Sequence, residues 1–464
     1  MRIGDTIAAV STPRGKGGVA LLRVSGREAL AVCERVFQPK NRKALSQATA
    51  RIAVYGNILA PDADGEWRAV DDGLATYFPA PHSFTGEDTV ELCCHGGVLL
   101  TQTVLTALLA AGARPAEAGE FTRRAFLNGK MGLSSAEALG NILEAQTKDQ
   151  LTLAYNGMGG RVEARCRGIY ESIRDILASI YVRIDYPDED LADMSREEIM
   201  GALEACHTAL NGLIGTYSTG RAVAEGIPTV ICGRPNAGKS TLYNLLVGRE
   251  AAIVTDIEGT TRDILSESTS LGCVTLRLFD TAGLRTTENP VEQIGIARAK
   301  EALDSAELIL AVFDVSRSPD GEDLRLMEEL RSCTGTVIAV LNKSDAISSP
   351  IDAHYREAFA NTVTMSAKEG KGLEELTALV EALFTDGAID LRNDAILTNA
   401  RQHAATLRAR EAVERSLAAL GAGMPLELCC SDAEDAMSAL CELDGRSISE
   451  DIVAQIFSRF CVGK

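Results

Sequence analysis

The sequence predicts a multidomain protein, α/β plus α, in which a strand-and-helix domain is inserted into a helical one. Three observations carry this. The chain has 464 residues, which at roughly 100–200 residues per domain gives about three domains. Strand-like and helix-like runs alternate from about 221 to 385. Long runs with apolar residues three and four apart stand on both sides of that stretch.

Residues 1–120 mix short strand-like runs, VALLRVSG at 19–26 and TVELCCHGG at 89–97, with a helix-like run near 98–111. This reads as a compact α/β or α+β domain. Near 134 the pattern changes, and Ser135 is placed as the N-cap of a helix through SSAEALGNILEAQTKDQ. RVEARCRGIYESIRDILASIYVRIDY, at 161–186, keeps helical spacing until Pro187 stops it. An acidic stretch follows, then another helix to about 215, so 121–220 is expected as the first part of a helical domain. In 221–385, the strands IPTVICG, CVTLRLFD, ELILAVFDV, GTVIAVLN and TVTMS are separated by helices beginning near 239 and 291 and further on. That alternation implies a parallel sheet covered on both faces. The tail, 386–464, returns to helix over 395–420, 431–443 and 448–460, and is expected as the second helical part.

The strongest motif is Gly233-Arg234-Pro235-Asn236-Ala237-Gly238-Lys239-Ser240, followed by Thr241. It fits G-x-x-x-x-G-K-[ST] between a strand and a helix, the context the pattern requires. The glycines let backbone N–H groups point at phosphate oxygens, and the helix N-terminus adds partial positive charge. Lys239 would reach the terminal phosphates and Ser240 would ligate Mg²⁺. Asn236 offers a side-chain oxygen to a monovalent ion beside the phosphates.

Three more motifs turn phosphate binding into guanine binding. Asp280-Thr281-Ala282-Gly283 ends one strand; its Asp would hold Mg²⁺ through water and its Gly amide would sense the γ-phosphate. Asn342-Lys343-Ser344-Asp345 ends another, and the Asp345 carboxylate would accept from guanine N1–H and the 2-amino group. Adenine lacks both donors, so a buried Asp345 would reject it. Ser366-Ala367-Lys368 ends a third, with the Ala367 amide facing guanine O6. All of these fall at the carboxyl edge of the sheet, where ligands bind. Gly259-Thr260-Thr261-Arg262-Asp263 stands where a switch loop would close over the γ-phosphate, with Thr261 as second Mg²⁺ hydroxyl. Leu284 occupies the place of the water-orienting Gln of Ras-like GTPases, so another group must position water; Glu292 is the candidate. GTP hydrolysis is the reaction expected.

Composition narrows the partners. Net charge is −19, and residues 221–464 hold 24 basic against 38 acidic side chains. So acidic a chain is repelled by bulk phosphate backbone, which argues against a nonspecific nucleic-acid binder but leaves RNA open through a local patch or a more basic partner. The 12 cysteines are scattered without a C-x-x-C pair, which removes support for zinc or thioredoxin-like chemistry. Reduced thiols, the absence of a signal-peptide layout at the start, and no apolar run of about 18 residues point to a cytoplasmic protein without a membrane span. GKGG at 15–18 reads as a turn, and His82 and His95 as structural.

Over essentially its whole length the chain resembles the tRNA modification GTPase MnmE (TrmE) family. The resemblance rests on STPRGKGGVALLRVSG, PHSFTGEDTVELCCHGG, EFTRRAFLNGK, GRPNAGKS, DIEGTTRD, DTAGLR and the terminal FCVGK. It departs at Val462 (usually Ile), Gly132 (usually Asp) and Ala118 (usually Pro). The resemblance implies an N-terminal tetrahydrofolate-binding and dimerisation domain at 1–120, a discontinuous helical domain at 121–220 and 386–464, and an inserted Ras-like P-loop GTPase domain at 221–385. It implies a homodimer acting with an FAD- and NADH-using partner, MnmG (GidA), in a heterotetramer, the FAD being on the partner alone. Together they would install a carboxymethylaminomethyl or aminomethyl group at C5 of the wobble uridine of certain tRNAs, with a methylene-tetrahydrofolate as one-carbon donor. Hydrolysis would be stimulated by K⁺. Asn236, Thr255, Ile257 and Thr260 match the K⁺ site, Ser240 and Thr261 the Mg²⁺ ligands, and Glu292 the water-orienting glutamate. Asp256, Glu258 and Gly259 lie in the same nucleotide-lining segment. Arg23, Glu91, Lys130 and Lys464 match the folate contacts, and Cys461 the family cysteine. A carboxylate such as Glu91 suits pterin donors, and the cations suit ring oxygen and carboxylates. A different reading keeps the nucleotide site but makes the chain a regulatory or ribosome-assembly switch.

Overall fold

The computed structural model describes residues 4–13, 15–185, 194–248, 266–279, 303–347, 353–385, 389–447, 450–458 and 460–463. Contacts divide the chain into two compact units, 1–140 with 444–464, and 141–443. In this grouping the last 21 residues stand with the N-terminal unit.

The N-terminal unit is built on a seven-stranded sheet. Its strands are β1 (Ile7–Val10), β2 (Val19–Ser25), β3 (Phe37–Pro39), β4 (Val54–Pro61), β5 (Trp67–Phe78), β6 (Thr89–His95) and β7 (Arg114–Pro115), in spatial order β3-β4-β5-β6-β2-β1-β7. All pairings are antiparallel except β1 with β7. The period of two sorts the side chains. Val90, Leu92 and Cys94 of β6 enter the core with Leu22 and Val24 of β2. Helices Ala29–Val36 and Val98–Ala110 cover that face with Val32, Val36, Val104 and Leu108. Arg23, Glu91 and Cys93 stand on the other face.

Two further features close this unit. Leu133 and Ala136 share a small core with Val453 and Phe457 of the C-terminal helix Glu450–Ser458. The final residues then return to the sheet: Val462 bridges Ala118, and the Ser11 hydroxyl donates to the Gly463 carbonyl at 3.0 Å. Gly463 has φ +100, and a Cβ there would lie 2.4 Å from the Val10 carbonyl, so the close approach needs glycine. The helix expected to start behind Ser135 starts at Leu133 instead. Leu133 is fully buried, and that burial draws the helix start three residues earlier than the capping signal suggests.

The second unit joins a helical bundle to a six-stranded sheet. Helices Arg161–Asp185 and Arg196–Gly215, before the sheet in sequence, share one core with Ala400–Gly421 and Leu426–Asp444, after it. Ile173, Ile176, Leu203, Leu210, Ala409, Val413, Ala436 and Leu440 fill that core. The tail helix begins at Ala400 rather than 395, because Asn399 accepts the Gln402 N–H as N-cap.

The sheet strands are β8 (Ile227–Gly233), β9 (Ser266–Leu271), β10 (Val274–Phe279), β11 (Leu308–Asp314), β12 (Thr336–Asn342) and β13 (Asn361–Thr364), in order β13-β12-β11-β8-β10-β9. All neighbours are parallel except the β9–β10 hairpin. Sequence reading missed β9, whose SESTSL is too polar to stand out as a strand. β11 shows why the others read as continuous apolar runs. Leu308, Leu310 and Val312 enter one core, and Ile309, Ala311 and Phe313 enter the core on the opposite face. Among the described residues no helix is long and apolar enough to cross a membrane.

Candidate functional site

The strand register brings several carboxyl ends to one rim. Val312 lies opposite Gly233, and Asp314 opposite Asn342. From β8 the chain turns through the phosphate loop into helix Lys239–Val247. Three residues of this loop have positive φ: Gly233 at 142°, Asn236 at 64° and Gly238 at 103°. A side chain at Gly238 would place its Cβ 2.1 Å from the Asn342 amide nitrogen. The loop can therefore curl against β12 only with glycine there.

Asn342 joins three loops. Its side-chain N–H donates to the Ala237 carbonyl at 2.9 Å, and its Oδ1 accepts the Ala367 N–H at 2.9 Å. The side chain is 2% exposed, so both halves of the amide are satisfied away from water. This one residue fixes the phosphate loop and the Ser366-Ala367-Lys368 loop to the strand that carries Asp345.

Of the charged groups of the site, Lys239 and Asp345 are held by neutral partners, whereas Lys343 is paired with Asp314. Lys239 Nζ donates to the carbonyls of Gly233 and Arg234, both at 2.8 Å, and burial lowers its pKa. An ammonium held only by neutral carbonyls is ready to exchange them for phosphate oxygens. Ser240 and Thr241 follow it in the first helical turn, and the Ser240 side chain is exposed, as a hydroxyl offered to Mg²⁺ must be. Asn236 is likewise exposed at the turn of the loop. Lys343, at φ +66, pairs with Asp314 at 2.6 Å. Asp345 is exposed, and the Ser366 hydroxyl donates to its Oδ1 at 2.6 Å, holding its carboxyl below the usual range. Ser344 N–H donates to the Met365 carbonyl at 3.1 Å, and the Lys368 side chain is exposed. Asp345 stands open to solvent at this rim, so the burial that would reject adenine must come from the base itself. The donor and acceptor set fits a guanine nucleotide from phosphate to base.

The switch positions Thr255, Asp256, Ile257, Glu258, Gly259, Thr260 and Thr261, together with Asp280, Thr281, Ala282, Gly283, Leu284 and Glu292, lie outside the described residues, as does Lys464.

In the N-terminal unit, Arg23 and Glu91 are direct cross-strand partners. Arg23 Nε and Nη2 donate to Glu91 Oε1 at 2.9 and 2.7 Å, and the guanidinium lies over the rings of Phe84 and Phe121. The pair engages only one of the Glu91 carboxylate oxygens. Lys130 Nζ donates to the Pro81 carbonyl at 2.9 Å and is exposed. Cys461 is exposed, and its carbonyl accepts the Gly119 N–H at 3.4 Å. His95, read as structural, has Nδ1 2.8 Å from Asp71 Oδ1, a hydrogen bond that raises its pKa.

Sequence reading missed a buried ionic network here. Arg124 reaches Asp5, Glu87 and Glu120 at 2.8, 2.9 and 3.0 Å, and Arg114 holds Asp5 and Glu120 from the other side, both at 2.5 Å. Glu120 and Arg124 stand in the EFTRRAF motif, so the signal was present but carried no role until the fold brought Asp5 and Glu87 to it.

Known proteins match throughout. Residues 133–461 match the family model described as MnmE helical domain, and residues 6–130 match that described as GTP-binding protein TrmE N-terminus. The chain is 41% identical to a tRNA modification GTPase MnmE of Symbiobacterium thermophilum, over 99% of each chain. It is 38% identical to one of Bacillus subtilis, over 99% of this chain and 100% of that one. A third, of Clostridioides difficile, is 36% identical with both chains covered in full.

Proposed function

The chain belongs to the family of tRNA modification GTPases MnmE, and from that premise we propose that it hydrolyses GTP in a K⁺-stimulated reaction coupled to modification of the tRNA wobble uridine. The observation that carries the nucleotide half is the Asn342 amide, which ties phosphate loop, guanine strand and Ser366-Ala367-Lys368 loop into one rim.

On this reading the loop amides from Asn236 to Ser240 and the Lys239 ammonium take the phosphates, and Asp345 takes the guanine N1–H and 2-amino donors. Ser240 and Thr261 would hold Mg²⁺, which neutralises charge building on the phosphate oxygens. Asn236, Thr255, Ile257 and Thr260 would hold K⁺ beside the same phosphates. Glu292 would orient the attacking water, since Leu284 cannot. Arg23, Glu91, Lys130 and Lys464 would bind the tetrahydrofolate derivative, with Cys461 close to the one-carbon unit. The chain would act as a homodimer with the flavoprotein MnmG (GidA), the FAD being the partner's, on tRNA.

A second reading, a regulatory or ribosome-assembly switch, draws on one observation. Arg23 and Glu91 are ion-paired across adjacent strands, as a structural pair would be. Deletion of the gene separates the two: the first reading requires loss of the wobble-uridine modification, the second leaves it in place. For the mechanism, replacing Na⁺ by K⁺ is expected to raise the GTPase rate markedly. Glu292→Ala should lower it by a factor of about 10² or more, in line with loss of a positioned general base, with GTP affinity retained. Equal rates in the two salts would remove K⁺ from the account.

A further inference from the structure

Arg234 is the second residue of the phosphate loop, and its side chain does not stay with the loop. The guanidinium turns instead to the first turn of helix Gly321–Arg331. Nη1 lies 2.6 and 2.5 Å from the two Asp320 oxygens and 3.4 Å from Asp323, and Nη2 lies 2.5 Å from Glu322. Arg317 braces the same group, 3.2 Å from Asp320 and 2.8 Å from Asp323. A lone surface ion pair would be worth little. Here two guanidiniums face three carboxylates, and one of these, Asp323, has a side chain only 4% exposed. Withdrawing Arg234 would leave that buried charge with Arg317 as its one cation and the Asp320 N–H, 3.1 Å away, as its hydrogen-bond donor, a weaker compensation than before. Asp320 is also the helix N-cap, accepting the N–H groups of Glu322 and Asp323 at 3.0 and 3.2 Å, so its place is set by the helix.

The main chain of Arg234 does a different task. Its carbonyl, with that of Gly233, receives the Lys239 ammonium. The segment from Asp314 to Asp323 meanwhile touches the guanine loop at its other end. Val315 N–H donates to the Asn342 carbonyl at 3.0 Å, and Asp314 pairs with Lys343. One short connection therefore grips the guanine loop at its start and the phosphate loop at its finish.

We propose that Arg234 is a positioning residue, whose grip on Asp320, Glu322 and Asp323 sets the phosphate loop at the distance from the guanine loop that one nucleotide must span. This deepens, and rests on, the guanine-nucleotide reading of the rim. Pre-set spacing favours binding, because the loop is ordered before the ligand arrives. A lysine cannot reproduce the grip, since it lacks the planar fork that reaches several carboxylates at once.

The test uses the full chain, fluorescent GDP and GTP analogues, and GTP turnover at saturation. Arg234→Ala should raise Kd for both nucleotides about tenfold, while kcat falls less than about threefold. Arg234→Lys should recover only part of the affinity. The double variant Asp320→Asn with Glu322→Gln keeps a competent N-cap but loses the two carboxylates nearest Arg234, leaving only Asp323 at 3.4 Å. It should reproduce the Arg234→Ala affinity, and adding Arg234→Ala to it should bring little further loss. An Arg234→Ala protein with Kd within twofold of wild type overturns the proposal. So does an acid double variant that binds normally, or a kcat loss larger than the Kd change, which would put the guanidinium on the reacting phosphate. If the unsubstituted chain fails to bind either nucleotide, the guanine reading falls, a result distinct from all of these.

Discussion

Single residues decide whether the rim forms at all. Asn342 is the clearest case, because its amide satisfies a carbonyl of one loop and an N–H of another. Asn342→Ala would leave Ala237 O and Ala367 N unpaired in a buried place, at about 1–3 kcal/mol each. Guanine-nucleotide affinity is expected to fall at least about tenfold, read by titration, with the fold retained by circular dichroism. Unchanged affinity would show that the loops hold without the stitch. The sequence marked Asn342 as part of a guanine motif, through residue type and order. It could not show that the same side chain also braces the phosphate loop, 105 residues earlier, because that contact exists only once β8, β11 and β12 lie side by side. The partners of Arg234 were illegible for the same reason: Asp320, Glu322 and Asp323 look like ordinary solvated helix charges in one dimension.

At the scale of elements, turns and caps govern where strands hand over to helices. The phosphate loop enters helix Lys239–Val247 through Gly238 in the left-handed region. Gly238→Ala combines an unfavourable φ with a Cβ driven onto the Asn342 amide. The expected result is loss of detectable GTP binding while the strands β8, β11 and β12 persist; retained binding would mean the loop has another route past β12. Strands of the nucleotide sheet were readable because burial on both faces makes them continuously apolar. β9 was not, because an edge strand of serines, threonine and glutamate carries no such run. The helix at Leu133 shows the opposite failure. A serine suited to capping was present, yet a buried leucine ahead of it took the chain into the helix first.

At the scale of the whole molecule, the N-terminal unit carries its own ionic keystone. Burial pushes the Glu120 carboxyl up, but hydrogen bonds from Arg114, the Glu117 backbone N–H and Arg124 outweigh it and leave its pKa below the usual value of 4.5. A depressed folded pKa adds stability that is complete above the unfolded value and is lost as pH falls through the folded one. The single tryptophan, Trp67, lies in β5 of this unit and reports its unfolding by fluorescence. Glu120→Gln is expected to cost about 2 kcal/mol at pH 7, by removing the charged acceptor that Arg114 and Arg124 share while Asp5 and Glu87 remain. The difference from wild type should shrink as pH drops below 4.5; a gap that stays constant with pH would assign the loss to packing instead. By itself the sequence determined the guanine-nucleotide chemistry, the family and the alternation of strands and helices, because these rest on local spacing and on residue types whose chemistry is intrinsic. Only the tertiary structure decided that helices from both sides of the sheet share one core, that the last residues return to β1, and that Arg23 faces Glu91. Each of those depends on contacts between residues far apart in the chain, whose free energy no local pattern encodes.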